Sequence, residues 1–349
     1  MAKTSRDATA PSPVLRVLRS PAEAPIAPIQ AQPVAVLGFG NQGAAHALNL
    51  RDSGVEVVVG GRPGRSLERA RSLGFRTESL SGAAACSRLV ILGLPDPMHA
   101  IAWQEVAPVL QADAVVGVMH GFSLINGLLA PPAAHGVVLV APKGPGDTLR
   151  RRFEAGQGIP ALFAVHQGGA DPARTRAIGL AWAAGIGSCR AAIVETTVAI
   201  ETETDLFGEQ AVLCGGMSLL MEMAFQLLVD AGYPPEVAYM ECCHEVKQVA
   251  DLVYLHGPEG MRRRVSTTAD FGAMTARREL DSPALRASME ALLAQVRSGA
   301  FARRFMDEAA GGMQALEASR RADDASPMAA AGAAVRAWIP WLRDEAAGR

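Results

Sequence analysis

Lysine is scarce in this chain: of 33 basic side chains in 349 residues, only Lys3, Lys143 and Lys247 are lysines. A position that accepts either basic residue would therefore usually hold arginine here. The two lysines in the body of the chain indicate a need for a compact ammonium group that can lose its proton, which arginine cannot supply. An excess of charge is also lacking. The formal net charge of −2 gives no reason to expect nucleic acid or a membrane surface as a partner.

Cysteine is equally sparse, with five residues and no CxxC pattern. An odd number of cysteines, with no apolar secretory segment near the start, excludes a disulfide framework and indicates reduced thiols in a cytoplasmic protein. Cys242 and Cys243 lie in an acidic segment where soft thiolates would favour zinc. Their helical neighbours do not complete a four-ligand set, so we interpret them as core residues.

Only one apolar run, Ala211–Val229, is long enough to raise the question of a membrane span. Glu222, Gln226 and the Gly215-Gly216 pair interrupt it and favour a buried core helix instead. Residues 1–32, rich in Pro, Ala and Ser, are expected to form a flexible tail. The arginines in this segment leave a transit peptide as the alternative.

A glycine-rich loop follows the first apolar run, Val34–Leu37, and reads GFGNQG. The spacing of Gly38, Gly40 and Gly43 permits a tight turn, a close approach to a pyrophosphate and close packing of helix on strand. A helix (Ala44–Leu50) and a second strand (Val55–Val59) are predicted next, which is the context that a dinucleotide site requires.

The loop after the second predicted strand indicates which dinucleotide is bound. NAD sites usually place Asp or Glu there, whereas this chain has Arg62, Arg65 and Ser66. Two guanidinium groups and a hydroxyl suit a 2′-phosphate, so the loop favours NADPH over NADH. The alternative is a solvated loop with ordinary basic residues.

Five further strands are predicted, and two of them end at residues that could act in a site. The strand Ala114–Met119 ends at His120, and Val137–Val140 is followed by the segment that holds Lys143. Ligands of open parallel sheets gather at the carboxyl ends of strands, so both side chains are candidate site residues. Alternatively, His120 is a surface residue and Lys143 a structural cap. The other three predicted strands are Leu89–Leu94, Pro160–Val165 and Ala191–Val194.

Two pairs of acidic residues lie in the later, helical part of the chain, at Asp205 with Glu209 and at Glu241 with Glu245. Residues four apart share one face of an α-helix. Four carboxylates would balance two divalent ions, and Mg²⁺ prefers oxygen ligands of this kind. The alternative for either pair alone is an ordinary solvated helix face.

The strand pattern stops near Thr196. The predicted fold is therefore an α/β Rossmann domain over residues 33–195, followed by an all-α domain over residues 196–345 that carries the acids.

These motifs together resemble those of ketol-acid reductoisomerase, also called acetohydroxyacid isomeroreductase. The resemblance spans about Val34 to Leu342 and rests on GFGNQGAAHALNLRDSG, LPD, HGF, VAPKGPG, ETETDLFGEQAVLCGG and ECCHE with STTADFG. Length and layout are similar to the shorter class of the family, whose helical domain is knotted. The resemblance implies an NADPH- and Mg²⁺-dependent enzyme of valine and isoleucine biosynthesis. Its substrates would be 2-acetolactate and 2-aceto-2-hydroxybutyrate, converted to 2,3-dihydroxy acids by alkyl migration and then reduction.

The resemblance also implies roles for individual residues. Asp205 and Glu209 would ligate the first of two metal ions, with Glu209 bridging to the second, and Glu241 and Glu245 would complete the second site. Ser266 would bind substrate; a helix cap is its alternative role. His120, Lys143 and Glu209 would be catalytic. In such enzymes the second acidic pair and the serine come from a partner subunit, which implies a homodimer. The residues implied for NADPH are Gly38, Phe39, Gly40, Asn41, Gln42, Gly43, Arg62, Arg65, Ser66, Asp96, Pro97, Met98, His99 and Gly146.

The chain departs from the family pattern at several places, among them the loop before Ser66, which is one residue shorter than usual. Ile200 stands where Glu is usual, Thr267 replaces Asn beside the substrate serine, and the loop PDExQ is PDPMH here (95–99). These departures motivate a second hypothesis, a divergent paralogue that acts on another 2-hydroxy-3-keto acid or only reduces a 2-keto acid. The unusual N-terminal segment motivates a third, a non-catalytic NADPH-binding or scaffolding protein.

Overall fold

A computed structural model describes residues 15–342 of the chain. It contains two compact units, which divide between Thr202 and Glu203. The division therefore lies inside a helix, a few residues beyond the point where the strand pattern of the sequence stops.

Within the described residues, the first unit holds nine strands in one sheet, in the order β1-β9-β8-β7-β6-β5-β2-β3-β4. Six neighbouring strands, in the order β7-β6-β5-β2-β3-β4, are parallel, and helices connect the strands that are consecutive in the chain. β8 runs antiparallel to β7. The strands are β1 (Val17–Leu18), β2 (Val34–Leu37), β3 (Val57–Gly60), β4 (Arg76–Glu78), β5 (Leu89–Leu92), β6 (Val115–Val118), β7 (Gly136–Pro142), β8 (Ala161–Gln167) and β9 (Ile193–Glu195).

Helices cover both faces of this sheet, so the central strands are buried along their whole length. One face packs around Trp182 and Phe163, and the other around Leu37 and Leu92. The predicted Rossmann fold is confirmed. The helices are α1 (Asn41–Asp52), α2 (Arg65–Ser72), α3 (Leu80–Ala85), α4 (Asp96–Val106), α5 (Phe122–Ile125), α6 (Gly146–Glu154) and α7 (Pro172–Gly185), with short 3₁₀ turns at Ala27–Ile29, Ala107–Val109 and Ser188–Arg190.

The segment before the first predicted strand differs from the expected flexible tail. β1 pairs antiparallel with β9, and the Glu195 N–H donates to the Arg16 carbonyl at 2.9 Å. Leu18, Ala24 and Ile29 are buried. Apolar side chains spaced through a Pro-rich segment thus anchor residues 15–32 to the first unit without a periodic pattern. Residues 1–14 lie outside the described residues.

The second unit is helical, as predicted. Two π-helical turns lie between its first helices, at Glu209–Leu213 and Met240–His244, and Gly257 (φ +70°) breaks one helix internally. Its helices are α8 (Val198–Gly208, which begins in the first unit), α9 (Gly215–Asp230), α10 (Pro235–Tyr239), α11 (Val246–Arg262), α12 (Thr267–Leu280), α13 (Pro283–Arg297), α14 (Ala300–Ala310), α15 (Gln314–Asp324) and α16 (Pro327–Trp338).

Helix α9 is not the buried core helix that the apolar run predicts. Phe225 is buried against α10 and α16, but Leu219, Leu220 and Leu227 are 55%, 62% and 68% exposed. The helical stretch Val198–Asp230 is long and apolar enough to cross a membrane, and only 6% of its most apolar window is buried. One chain alone therefore leaves a broad apolar helix face uncovered.

Candidate active site

A cavity of about 590 Å³ opens at the carboxyl ends of β2 and β3. Gly38 has φ +98°, and a Cβ there would lie 2.7 Å from the Gly93 carbonyl oxygen. A Cβ at Gly43 would lie 2.3 Å from the Gly38 oxygen. Both positions therefore require glycine for the turn and for the packing of α1 on the sheet.

The cavity has the features of a dinucleotide site. A Cβ at Gly40 would have no neighbour within 4 Å, so it would project into the open space that a pyrophosphate needs. Gln42 donates from Nε2 to the Gly144 carbonyl at 3.0 Å, while its Oε1 is buried without a partner among the described residues. A buried acceptor without a partner, two residues beyond Gly40, would be satisfied by a ligand that supplies a donor.

The residues expected to bind the cofactor divide into two groups. Those that line the cavity are Gly38, Phe39, Gly40, Asn41, Arg62, Arg65, Ser66 and Met98. The others lie behind or beside it. Gly43 packs under the turn, Gly146 packs against Asn41, and Asp96 and His99 are bonded to Ser123. Pro97 occupies the first turn of α4.

A second group of polar side chains surrounds the buried carboxylate of Glu201, which is 0% exposed. Lys143 Nζ donates to Oε1 at 2.9 Å, and His120 Nδ1 lies 3.4 Å from the same oxygen. The Gly121 N–H and the Thr202 hydroxyl approach Oε2 at 3.2 and 3.3 Å. The ends of β6 and β7 thus bring His120 and Lys143 onto one carboxylate.

The charge state of this group follows from its partners. Burial alone would raise the pKa of Glu201, but the hydrogen bond and charge of His120, with the charge of Lys143, hold that pKa below its ordinary value. Glu201 is therefore a carboxylate that accepts a hydrogen bond from Lys143. It also favours the His120 tautomer with its proton on Nδ1, which makes Nε2 the basic nitrogen.

Sequence reasoning missed Glu201. It lies in the same acidic stretch as Asp205, one helical turn earlier on α8, and the spacing rule that paired Asp205 with Glu209 applies equally to Glu201 with Asp205. The available signal was this third acid in register. Only the sheet placed it beside the ends of β6 and β7.

The four acids expected to bind metal occupy the two π-helical turns or their edges. Asp205 lies in the last turn of α8 and Glu209 is the first residue of the first π turn, while Glu241 lies in the second π turn and Glu245 follows it. Single π turns inside α-helices are frequent at functional sites. The i,i+4 α-helical spacing assumed from sequence is thus altered in the second pair, which spans a π turn, whereas Asp205 and Glu209 are joined by α-helical residues.

The two pairs do not form one cluster within a chain. Among residues 15–342, no three of these four acids place ligand atoms within 4.8 Å of one another. Carboxylate oxygens nevertheless match the hard-ligand preference of Mg²⁺, and Asp205 with Glu209 supplies two of them on successive turns.

Ser266 is the N-cap of α12. Its Oγ accepts from the Ala269 N–H at 3.1 Å, as the capping alternative predicts, and Arg262 Nε pairs with Asp270 at 2.6 Å beside it. A capping hydroxyl accepts one hydrogen bond and keeps its proton to donate. Capping and substrate binding are therefore compatible.

Comparison with known proteins agrees with this arrangement. Family models match over residues 28–192 (acetohydroxy acid isomeroreductase, NADPH-binding domain) and 199–341 (ketol-acid reductoisomerase, C-terminal domain). An NADH-preferring ketol-acid reductoisomerase from an uncultured archean is 35% identical, with TM-score 0.88 over 92% of this chain and 98% of that one. A semialdehyde dehydrogenase NAD-binding protein from Cupriavidus necator, solved with calcium and NAD, is 19% identical. It has TM-score 0.60 over 76% of this chain and 99% of that chain, so it shows the fold alone.

Proposed function

This chain belongs to the ketol-acid reductoisomerase family, and we propose that it uses Mg²⁺ and NADPH to convert 2-acetolactate and 2-aceto-2-hydroxybutyrate to 2,3-dihydroxy acids. The observation that carries the proposal is the Glu201 cluster. A buried carboxylate holds a lysine and a histidine at the same sheet edge as the dinucleotide cavity. Such a cluster is poised to move protons next to a bound nicotinamide.

Each residue of the cluster has a defined task in this proposal. Glu201 orients the Lys143 ammonium and the His120 ring, so that both point from strand ends rather than from mobile loops. His120 Nε2 can exchange a proton with the hydroxyl group of the substrate during the alkyl migration. The Lys143 ammonium stabilises negative charge that develops on a substrate oxygen. Asp205 and Glu209 would hold divalent ions, which would polarise the keto oxygen for the alkyl shift.

The choice of NADPH rests on the loop after β3. Arg62, Arg65 and Ser66 line the cavity, and Arg65 begins helix α2, whose N-terminus favours an anion. The archaeal relative prefers NADH, so the preference of this chain needs its own measurement. Steady-state kinetics with each cofactor should give a higher kcat/KM for NADPH. A higher value for NADH would reverse the assignment.

We propose a homodimer as the working form. Among the described residues the two acidic pairs do not form one cluster, and α9 exposes Leu219, Leu220 and Leu227, which a second copy would cover. A second copy on this face would bury the apolar side chains of α9 without a membrane. We accordingly propose a cytoplasmic enzyme with a small-molecule substrate and no nucleic-acid partner. Light scattering of the full chain should give at least twice the 36.5 kDa monomer mass.

The test of activity is NADPH oxidation with 2-acetolactate, with and without EDTA. Turnover should require Mg²⁺ and should be lost in Glu209→Gln, whereas the matched variant Glu279→Gln, on the exposed face of α12, should retain it. Turnover that persists in EDTA would refute the metal role. A panel of 2-keto acids extends the assay: if acetolactate ranks among the poor substrates, the divergent-paralogue hypothesis replaces this one.

A further inference from the structure

A buried histidine of the first unit, His99, lies outside the Glu201 cluster and is only 3% exposed. Its Nε2 lies 2.9 Å from the Leu94 carbonyl oxygen, and its Nδ1 lies 2.6 Å from Ser123 Oγ. Ser123 Oγ in turn lies 3.1 Å from Asp96 Oδ1. We refer to His99, Ser123 and Asp96 as the His99 chain.

The His99 chain connects two parts of the site. Leu94, Pro95 and Met98, which surround Asp96 and His99 in sequence, line the dinucleotide cavity. Ser123 is the second residue of α5, the short helix that directly follows His120 and Gly121. The His99 chain therefore connects, by hydrogen bonds, a wall of the cofactor cavity to the segment that carries His120.

Counting protons shows that the hydrogen bonds of the His99 chain need one more proton than is present when His99 is neutral. A carbonyl only accepts, so the proton of a neutral His99 must be on Nε2, facing Leu94, and Nδ1 is then an acceptor. Asp96 is also an acceptor when ionised. Ser123 has a single hydroxyl proton, so it can donate to His99 or to Asp96 but not to both. An imidazolium at His99 resolves this conflict, because Nδ1–H then donates to Ser123 Oγ and the serine hydroxyl donates to Asp96.

We propose that the His99 chain is a proton-dependent latch, which closes when His99 takes up a proton and then holds the cofactor wall against the His120 segment. His99 is in this view a positioning residue: it acts through Ser123 and Asp96 rather than on the substrate. Any effect of the latch on turnover, through the segment that carries His120, rests on the proposed function. Its effect on dinucleotide binding does not.

The surroundings set the pH range in which the latch operates. Burial lowers the pKa of His99 below its ordinary value, while Asp96 and the Leu94 carbonyl favour the charged form and His120 opposes it. The neighbouring elements α3, α5 and the turn Ala107–Val109 carry no titratable side chain facing it. The free protein therefore gains this proton only at a pH below the ordinary pKa of a histidine. A dinucleotide that needs the closed wall should raise the pKa of His99 by linkage.

The test compares dinucleotide affinity in the wild type and in His99→Gln between about pH 5 and pH 8. Glutamine, which the family motif PDExQ has at this position, keeps a donor and an acceptor but does not titrate. The ratio of the two NADPH dissociation constants cancels the titration of the cofactor phosphates. We expect the wild type to gain about three- to tenfold in relative affinity on acidification, the range of the net contribution of one ordinary hydrogen bond. Parallel curves for the two proteins would overturn the proposal.

Two further measurements keep the outcome decisive. Ser123→Ala removes the hydroxyl group that links His99 to Asp96 and should abolish the pH-dependent gain in affinity. His166 is an exposed histidine on β8, so His166→Gln should leave that gain intact. Imidazole nitrogen NMR of the wild-type NADPH complex should show His99 charging at a higher pH than in the free protein. A His99 that stays neutral to about pH 5 in the complex would refute the latch, even if every variant failed to fold. Loss of turnover with an intact pH-dependent gain in affinity would instead count against the proposed function alone.

Discussion

His46 offers a quantitative test of how the first unit is held together. It lies on α1, directly behind the glycine-rich turn, and is completely buried. Trp182 Nε1–H donates to His46 Nδ1 at 3.0 Å, which places the histidine proton on Nε2. A second proton could only go to Nδ1, where it would face the indole N–H. Burial lowers the pKa of His46 from 6.5 to about 3.

This pKa difference makes stability depend on pH with a definite sign. Above pH 6.5 His46 is neutral in both the folded and the unfolded chain, so it contributes no pH dependence. Below that pH the unfolded chain binds a proton that the folded chain rejects, and the free energy of unfolding falls. At about 1.4 kcal/mol per pH unit over roughly 3.5 units, the full loss reaches about 5 kcal/mol near pH 3.

The assay is urea unfolding, followed by circular dichroism, of the wild type and of His46→Asn between about pH 7.5 and pH 4. Asparagine can present its Oδ1 near the position of Nδ1 and accept from Trp182, but it does not titrate. The variant should be less stable at neutral pH because its smaller side chain leaves a cavity. Its disadvantage should shrink by about 1.4 kcal/mol for each pH unit below 6.5. A difference that stays constant across this range would refute the argument.

The other predictions concern the site. Glu201→Gln removes the charge that holds Lys143 and His120, so kcat should fall about 100-fold or more with little change in NADPH affinity, and equal kcat values would contradict the cluster's role. Arg65→Ala should raise the NADPH dissociation constant about 10- to 100-fold and leave that for NADH nearly unchanged; equal losses for both cofactors would contradict the assigned 2′-phosphate contact. Gly38→Ala should lower the free energy of unfolding by about 1–3 kcal/mol and abolish dinucleotide binding, because its Cβ would meet the Gly93 carbonyl. Gly74→Ala is the matched control: it also has positive φ (+84°) but open space around the added Cβ, so it should cost about 1 kcal/mol and spare binding.

The local sequence pattern was sufficient to predict structural features whose residues are contiguous in the chain. An apolar run, three glycines at fixed spacing and a helix define the turn at Gly38 without reference to any other strand. The change from strands to helices near Thr196 likewise depends only on periodicity. The acids at Asp205 and Glu209 were recognisable for the same reason, because their spacing is a property of one helix.

Features that join distant segments depended on the tertiary structure. Glu201 meets Lys143 and His120 across 58 and 81 residues, and no local spacing encodes that meeting. The same holds for the pairing of β1 with β9, for the antiparallel β8 and for the chain from His99 to Ser123. The sequence by itself was enough to predict which side chains bind a dinucleotide and a cation, since such a prediction needs only side-chain chemistry and short-range geometry. Only the tertiary structure decided which side chains contact the buried Glu201 carboxylate, since the sheet brings the relevant strand ends together. Burial and hydrogen-bond partners are properties of the packed chain.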